Sequence, residues 1–235
     1  MIKENICIFG FKDSSVGFIN YWIEDLTSYS IYCFISVSKI KKINEKIKNK
    51  ATKKKKLIVK NKIFNKKVIF LKNYVSFLKK KKIKKCLILE DDPFLRYQIY
   101  KKLKKNHFEL ITLVHPTVSL SYKVKIQEGT VIYPNCTIGY RVSIGACCII
   151  QPNCSLSHHN FISNFVNLSP NVSTGGFTEI GKFSDIKMSV NISNKIKIGA
   201  KCLIGVGSLV LNDCLPKSVY YGFPAKFIKK NLHHI

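Results

Sequence analysis

An aliphatic residue recurs at every sixth position through the second half of the chain. The series runs without a change of phase from Val114 to Val210, and sixteen of its seventeen positions are Val, Ile or Leu, with Thr174 as the exception. Four residues after each of these positions comes a small or β-branched residue, with Asn160 as the one amide. Neither the helix period of about 3.6 residues nor the two-residue period of a strand produces this spacing.

This pattern predicts a left-handed parallel β-helix, in which three six-residue sides form one triangular coil and each coil covers the edge of the next. The large aliphatic residue points inward and the small residue packs beside it. Glycine often follows the aliphatic residue directly, where a sharp corner tolerates no side chain. Four cysteines of the small track are expected to be buried, as small hydrophobic residues: Cys136, Cys148, Cys154 and Cys202.

The N-terminal half has a different pattern, which predicts a Rossmann-like α/β unit. Ile6–Gly10 is a short apolar strand, Phe11–Val16 a loop, Gly17–Leu26 an amphipathic helix and Ile31–Val37 a second strand. The predicted fold class is therefore an α/β Rossmann-like N-terminal half followed by a left-handed parallel β-helix.

Further segments complete the N-terminal half. Leu57–Ile69 and Cys86–Glu90 are strand-like, and Pro93–Lys105 is a helix with Pro93 in its first turn. The Lys-rich segment Lys41–Lys56 is interpreted as a loop or a poorly ordered helix. We expect three domains: 1–108, binding a sugar nucleotide; 109–212, the β-helix; and 213–235, a C-terminal tail.

The charge of +27 first suggests a polyanionic partner, but the basic residues are 38 lysines and only two arginines. Proteins that read bases or clamp phosphates use arginine heavily, so a solvated lysine-rich surface is the favoured interpretation and nucleic acid is not expected as a partner. No long apolar run is present, Met1–Ile8 is not expected to be a signal peptide, and the nine cysteines lack CxxC spacing. We expect a reduced, cytoplasmic protein without a membrane segment.

The order of the segments resembles the family of sialic acid O-acetyltransferases and nucleotide-linked amino-sugar N-acetyltransferases of bacterial glycan synthesis. The resemblance rests on the Rossmann-like half, the stretch Phe108–Pro116, the hexapeptides and the terminal Tyr-Gly-Phe-Pro-Ala-Lys of Tyr221–Lys226. It implies acetyl-CoA as co-substrate, a nucleotide-linked sugar as acceptor, no metal, and a homotrimer with acyl clefts between chains.

The resemblance also implies site residues. In Ser155–Pro170, His158 matches the family's catalytic His and is expected to act as general base, with its ring projecting outward. His159 replaces the family's acid and is either a hydrogen-bonding substitute or a surface residue. Asn167 replaces a second His and is assigned to substrate binding, together with Gly10, Ser14, Ser15 and Ser36 at the expected nucleotide loop.

The break at Thr174 is followed by two glycines, either a bulge or a close approach of backbone to ligand. By resemblance the Gly176 amide donates to the oxyanion of the thioester carbonyl. The same resemblance assigns CoA binding to Gly175, Gly176, Gly205, Val206, Gly207, Pro224, Ala225 and Lys226.

Two other functions are weighed. A zinc carbonic anhydrase on the same fold would need three convergent His, and His158 and His159 are expected to point in different directions along the chain. A catalytically weakened scaffold or polyanion-binding protein would bind DNA in a salt-sensitive manner without binding CoA. The sequence leaves open whether the acceptor atom is an amine or a hydroxyl.

Overall fold

The computed structural model describes residues 3–10, 13–37, 62–63, 65–71 and 73–231. The chain divides into two compact units, Met1–Cys86 and Leu87–Ile235. This division falls before the expected boundary at residue 108, because the helix after residue 92 groups with the coils that follow it. The predicted segment Lys41–Lys56 lies outside the described residues.

The first unit contains an α/β sheet. Its elements are β1 (Glu4–Phe9), α1 (Asp13–Leu26), β2 (Tyr29–Ser36), β3 (Lys62–Ile63), β4 (Lys66–Phe70), α2 (Tyr74–Lys80) and β5 (Lys85–Ile88), the last of which runs into the second unit. The strand order is β3-β4-β2-β1-β5, with β1 parallel to β2, β2 parallel to β4, and β3 antiparallel to β4.

Burial explains these elements. Ile6–Phe9 is a continuous run of fully buried residues, as expected for a parallel strand covered on both faces. In α1, Ile19, Trp22 and Ile23 are buried at helical spacing. The helix begins at Asp13 rather than at Gly17, so part of the expected loop is helical. Helix α2 was not predicted, since seven residues are too few for a clear helical period.

The second unit begins with α3 (Pro93–Lys105), which has the predicted bounds. The carboxylate Oδ1 of Asp92 accepts hydrogen bonds from the amides of Phe94 (2.8 Å) and Leu95 (3.2 Å), and Pro93 occupies the first turn. An Asp cap followed by Pro is a strong start signal for a helix.

Eighteen two-residue strands, β6 to β23, follow α3, and a hairpin of two longer strands, β24 and β25, ends the array. They are β6 (Glu109–Leu110), β7 (Leu113–Val114), β8 (Ser119–Leu120), β9 (Lys125–Ile126), β10 (Val131–Ile132), β11 (Thr137–Ile138), β12 (Ser143–Ile144), β13 (Ile149–Ile150), β14 (Ser155–Leu156), β15 (Phe161–Ile162), β16 (Asn167–Leu168), β17 (Ser173–Thr174), β18 (Glu179–Ile180), β19 (Asp185–Ile186), β20 (Asn191–Ile192), β21 (Lys197–Ile198), β22 (Leu203–Ile204), β23 (Leu209–Val210), β24 (Ser218–Gly222) and β25 (Ala225–Lys230).

The two-residue strands from β7 to β23 stack into three parallel faces. The first face is β7-β10-β13-β16-β19-β22, extended by β24 and β25; the second is β8-β11-β14-β17-β20-β23; and the third is β9-β12-β15-β18-β21. Pairing is parallel from coil to coil, as for Val131 with Leu113 and Ile149. Three parallel faces built from a six-residue repeat are those of a left-handed β-helix, which confirms this part of the predicted fold.

The core of the β-helix is formed by the two predicted sets of inward-facing residues, the aliphatic residue at every sixth position and the small residue four positions after it. The aliphatic residues from Ile132 to Val210 and the small residues beside them are buried in one continuous cluster. The first coil is less covered: Leu120 is 46% exposed. All nine cysteines are buried and free.

The corners of the coils follow a rule that differs from the expected one. From Leu120 to Ile204, the third residue after each position of the aliphatic track has a left-handed backbone, as Asn153 (φ 61°), His159 (φ 58°) and Phe165 (φ 61°) show. The glycine directly after the aliphatic residue is needed for another reason. A Cβ on Gly181 would lie 2.4 Å from the backbone nitrogen of Ala200 in the next coil, so the close contact between coils excludes a side chain there.

Candidate active site

His158 lies in the turn that joins β14 on the second face to β15 on the third. The amide of His159 donates to the Tyr140 carbonyl of the preceding coil (2.8 Å), and the His158 carbonyl accepts from the Phe177 amide of the following coil (3.0 Å). The backbone of the turn is therefore held from both sides, while the His158 side chain is exposed. The predicted outward projection of this side chain is observed.

The two histidine rings contact each other. Their Nδ1 atoms are 3.1 Å apart and the ring planes meet at 86°. The ring of His159 also stacks on Phe177, with centroids 4.7 Å apart. The expectation that the rings point in different directions is wrong, because the left-handed backbone at His159 turns its side chain back toward His158. In this hydrogen bond one Nδ1–H is the donor and the other Nδ1 is the acceptor, and the tautomers of the two rings decide which is which.

Gly176 lies under the His158 ring. It occupies the same turn one coil later, and a Cβ at this position would be 2.5 Å from Cε1 and 2.7 Å from Nε2 of His158. Such distances are too short for any carbon contact, so only glycine leaves room for the ring in this position. The structure thus brings together the three predicted catalytic residues, His158, His159 and Gly176.

The break in the aliphatic track belongs to a buried polar network below this turn. The Asn160 side-chain amide donates to Thr174 Oγ1, and Asn160 Oδ1 accepts from the Thr178 amide at 2.9 Å. The Thr178 hydroxyl donates to the Gly175 carbonyl at 2.9 Å. Thr174 therefore replaces an aliphatic residue because it partners Asn160. The sequence shows that Thr174 and Asn160 each break the repeat, but only the geometry of the coils shows that the two side chains pair.

The predicted CoA-binding glycines lie at another corner, in the turn between β22 and β23. The Tyr221 ring covers Gly205, whose Cβ would lie 1.9 Å from Tyr221 Cδ1, and the Gly222 amide donates to Ser208 Oγ at 3.2 Å. Nothing lies within 4 Å of a Cβ built on Gly207. The β24–β25 hairpin thus packs on this turn and leaves its tip open.

The remaining predicted CoA residues at this corner lie in the same turn or on the hairpin. Val206 at the turn is 58% exposed, and the peptide bond between Phe223 and Pro224 is cis. Ala225 and Lys226 begin β25, with Lys226 exposed. These residues form one group with Gly205, on a different corner of the same chain from the turn that holds His158 and the Gly175–Gly176 pair.

The residues assigned to substrate binding in the first unit lie at one edge of its sheet. Gly10 follows β1 with φ 81°, and its amide donates to the Ile35 carbonyl at 3.1 Å. Ser36 ends the neighbouring parallel strand β2, and Ser14 and Ser15 lie in the first turn of α1 rather than in a loop. The carboxyl ends of parallel strands are the usual ligand-binding edge of such a sheet.

Asn167 is placed elsewhere, on the first face in β16. It is 9% exposed; its Oδ1 accepts from Arg96 at 2.7 Å and its Nδ2 donates to the Asp91 carbonyl at 2.8 Å. Arg96, fully buried, also donates to the carbonyls of Glu90 (2.6 Å) and Phe165 (3.1 Å), and burial lowers its pKa. Within one chain Asn167 anchors α3 and does not meet His158, so a contact with substrate would require its amide to leave these partners.

In the part of the chain that the structure describes, no group of three or more His, Cys, Asp or Glu side chains is arranged to hold a metal ion. His115 lies at a different corner from His158, where its Nδ1 accepts from the Thr117 amide at 3.2 Å. None of the helices in the described ranges is long and apolar enough to cross a membrane.

Comparisons with known proteins bear on the repeat and the fold. Residues 123–158 match the family model "Bacterial transferase hexapeptide (six repeats)". A comparison with curated proteins found no match. A variant of perosamine N-acetyltransferase from Caulobacter crescentus, solved with CoA and GDP-perosamine, has a TM-score of 0.78 at 17% identity, covering 98% of this chain and 99% of that one.

Two further solved structures are similar over nearly the whole chain. The acetyltransferase domain of PglB from Neisseria gonorrhoeae, in complex with acetyl coenzyme A, has a TM-score of 0.77 at 17% identity, with 96% of this chain and 100% of that one covered. WeeI from Acinetobacter baumannii has a TM-score of 0.67 at 14% identity, with the same coverage. The predicted resemblance is thus confirmed in two respects: the family model matches part of the hexapeptide repeat, and the three solved structures share the fold along almost all of the chain.

Proposed function

We propose that the protein transfers an acetyl group from acetyl-CoA to an amino, or alternatively a hydroxyl, group of a nucleotide-linked sugar in bacterial surface-glycan synthesis. The observation that carries the proposal is the exposed His158 ring, fixed between the α-carbon of Gly176 and the Nδ1 of His159. Structures with the same fold hold CoA, acetyl coenzyme A or GDP-perosamine, which supports the choice of substrates.

His158 acts as the general base. In the tautomer of His158 that carries its proton on Nδ1, the Nδ1–H group donates a hydrogen bond to Nδ1 of His159. The lone pair of Nε2 is then left to face the amine or hydroxyl of the acceptor sugar. The acceptor nitrogen or oxygen attacks the thioester carbonyl while its proton passes to Nε2, and the CoA sulfur then leaves and takes up a proton. A positioned base of this kind contributes about 10²- to 10⁴-fold. His159 thus fixes the tautomer, as the missing carboxylate would, but adds no negative charge.

The donor site needs more than one chain. Gly176, whose amide is the proposed oxyanion donor, lies at one corner of the prism, whereas Gly205, Val206 and Gly207 and the hairpin of Pro224–Lys226 lie at another. A channel lined by both groups forms when the His158 corner of one copy faces the hairpin corner of a second copy. This supports a homotrimer, in which the 213–235 tail closes the CoA cleft and Lys226 offsets phosphate charge.

The first unit offers a site for the nucleoside of the acceptor. Gly10, Ser36 and the first turn of α1, with Ser14 and Ser15, share the carboxyl edge of the parallel strands β1 and β2. A helix N-terminus at such an edge favours anions and hydroxyl groups, as in Rossmann-like units. Residues 1–108 are therefore proposed as the sugar-nucleotide domain and 109–212 as the acyltransferase domain.

A substrate panel tests the proposal. The purified chain is incubated with acetyl-CoA and nucleotide-linked sugars that differ in nucleotide and in amine or hydroxyl acceptor, and products are identified by mass spectrometry. We expect acetylated sugar and CoA in equal amounts with at least one amino sugar. Absence of acetyl transfer across the panel, combined with salt-sensitive DNA binding and no CoA binding, would instead support the polyanion-binding alternative.

A further inference from the structure

Two columns of side chains run along the corner that holds His158. In the two coils before it, the same turn carries Tyr140 with Arg141, and Tyr122 with Lys123. The rings of Tyr122 and Tyr140 are parallel within 17°, with centroids 6.4 Å apart. The rings of Tyr140 and His159 make an edge-to-face contact, with centroids 5.4 Å apart. Aromatic rings thus continue from the two histidines toward the first coil.

A cation accompanies each tyrosine. The Arg141 guanidinium lies 5.1 Å from the centroid of the Tyr140 ring, and the Lys123 ammonium lies 5.1 Å from that of Tyr122. Tyr122 is 72% exposed, and both cations are exposed. Neither turn, 121–124 or 139–142, contains an acidic residue. The corner before His158 is therefore aromatic and positively charged, and it is open to a ligand.

The same corner beyond His158 has another character. One coil later the first column carries Gly176, and two coils later it carries Asn194. The second column carries Phe177 and then Lys195, which lies two coils beyond the base as Lys123 lies two coils before it. Small residues beside the base leave space for a thioester, whereas rings and cations suit a sugar and an anion. The side of His158 toward Gly176 thus suits the thioester, and the side toward Tyr140 suits the acceptor.

We infer that this corner binds the sugar and the diphosphate of the acceptor, with Tyr140 packed against the sugar ring and Arg141 and Lys123 paired with the phosphates. The inference rests on the proposed function and specifies its acceptor site. Coils lie about 5 Å apart, so the turns of Arg141 and Lys123 lie about 5 and about 10 Å from that of His158. A diphosphate one sugar ring away from the reacting atom comes within reach of both side chains.

Calorimetry with GDP and UDP tests the inference without requiring catalysis. Each titration is done with CoA in excess, so that a diphosphate entering the donor site is excluded. For Arg141→Ala we expect affinity to fall about tenfold to a hundredfold, and for Lys123→Ala by a smaller factor, because arginine pairs with phosphate through two hydrogen bonds. Lys195→Ala, the matched control two coils beyond the base, leaves affinity unchanged. Because neither diphosphate carries the acceptor sugar, Tyr140 is tested by acetyl-transfer kinetics: Tyr140→Ala raises KM for the nucleotide-linked sugar, and Tyr140→Phe, which keeps the ring, does not.

Unchanged affinity in both Arg141→Ala and Lys123→Ala, or binding of neither diphosphate by the wild-type chain, overturns the inference. Acetyl-transfer kinetics provide the second readout: Arg141→Ala raises KM for the nucleotide-linked sugar and leaves KM for acetyl-CoA unchanged. Diphosphate binding that depends on Arg141, in a chain that transfers no acetyl group, rejects the proposed function and supports the anion site. Acetyl transfer by the wild-type chain, combined with an unchanged KM for the nucleotide-linked sugar in Arg141→Ala, supports the proposed function and rejects the anion site.

Discussion

Replacing Gly176 by alanine is expected to displace the His158 ring and to leave the backbone of the turn unchanged. The added methyl would lie 2.5 Å from Cε1 and 2.7 Å from Nε2 of His158, closer than carbon atoms approach. The ring must therefore move, since it is an exposed side chain and the backbone below it is held by the coils on both sides. Alanine keeps the backbone amide, so the proposed oxyanion donor remains.

The size of the effect follows from the role of the ring. A displacement of about 1 Å in a catalytic group can cost about 10²-fold, and full loss of a general base about 10²- to 10⁴-fold. We expect kcat of Gly176→Ala to fall by at least about 10²-fold. The midpoint of thermal unfolding should hardly change, because the clash is relieved by rotation of one exposed side chain.

Gly181→Ala is the matched control for stability. Its methyl would lie 2.4 Å from the Ala200 nitrogen, a backbone atom that cannot rotate away, so this variant should unfold at lower temperature. The assay compares kcat and thermal unfolding for both variants, and repeats Gly176→Ala in a His158→Ala background, where it should cost nothing further. Wild-type kcat in Gly176→Ala, or an equal loss with and without His158, would refute the reasoning.

Three further outcomes are expected. Thr174→Val restores the aliphatic track but leaves the Asn160 amide without its partner, so urea unfolding should show a loss of about 1–3 kcal/mol, whereas a gain would contradict the network. His159→Glu places a carboxylate beside the base and stabilises its protonated form, so the acidic limb of the pH–rate profile should move to higher pH; an unmoved limb would make His159 a surface residue. Burial raises the pKa of the Cys148 thiol to about 11, so the thiol stays protonated at pH 8 and iodoacetamide should label it only after unfolding, as mass spectrometry can show; rapid labelling of the folded chain would contradict this burial.

The β-helix could be predicted because its signal is long and its period differs from those of helices and isolated strands. Pro93 likewise indicated the first turn of α3, whereas the Asp92 cap was found only in the structure. The first turn of α1 was assigned to a loop, since Asp13, Ser14 and Ser15 are typical of turns as well as of helix starts. Helix α2 shows too few residues for its period to be recognised.

The site could be predicted in part for the same reasons. The period places His158 and Gly176 in the same turn of successive coils, so their proximity follows from the repeat. The contact between the rings of His158 and His159 depends on the left-handed backbone at His159, which nothing in the residue type specifies. The pairing of Asn160 with Thr174 depends on which side chains face each other inside the prism, and the sequence shows only that both break the pattern.

The central claim is that His158 is the base that drives acetyl transfer. Single-turnover transfer from acetyl-CoA to the accepted nucleotide-linked sugar, measured for the wild-type chain and for His158→Ala, tests it most directly, with CoA affinity determined on the same samples. The account predicts a rate about 10²- to 10⁴-fold lower in His158→Ala, with CoA affinity and thermal unfolding unchanged. A transfer rate close to that of the wild-type chain would contradict it.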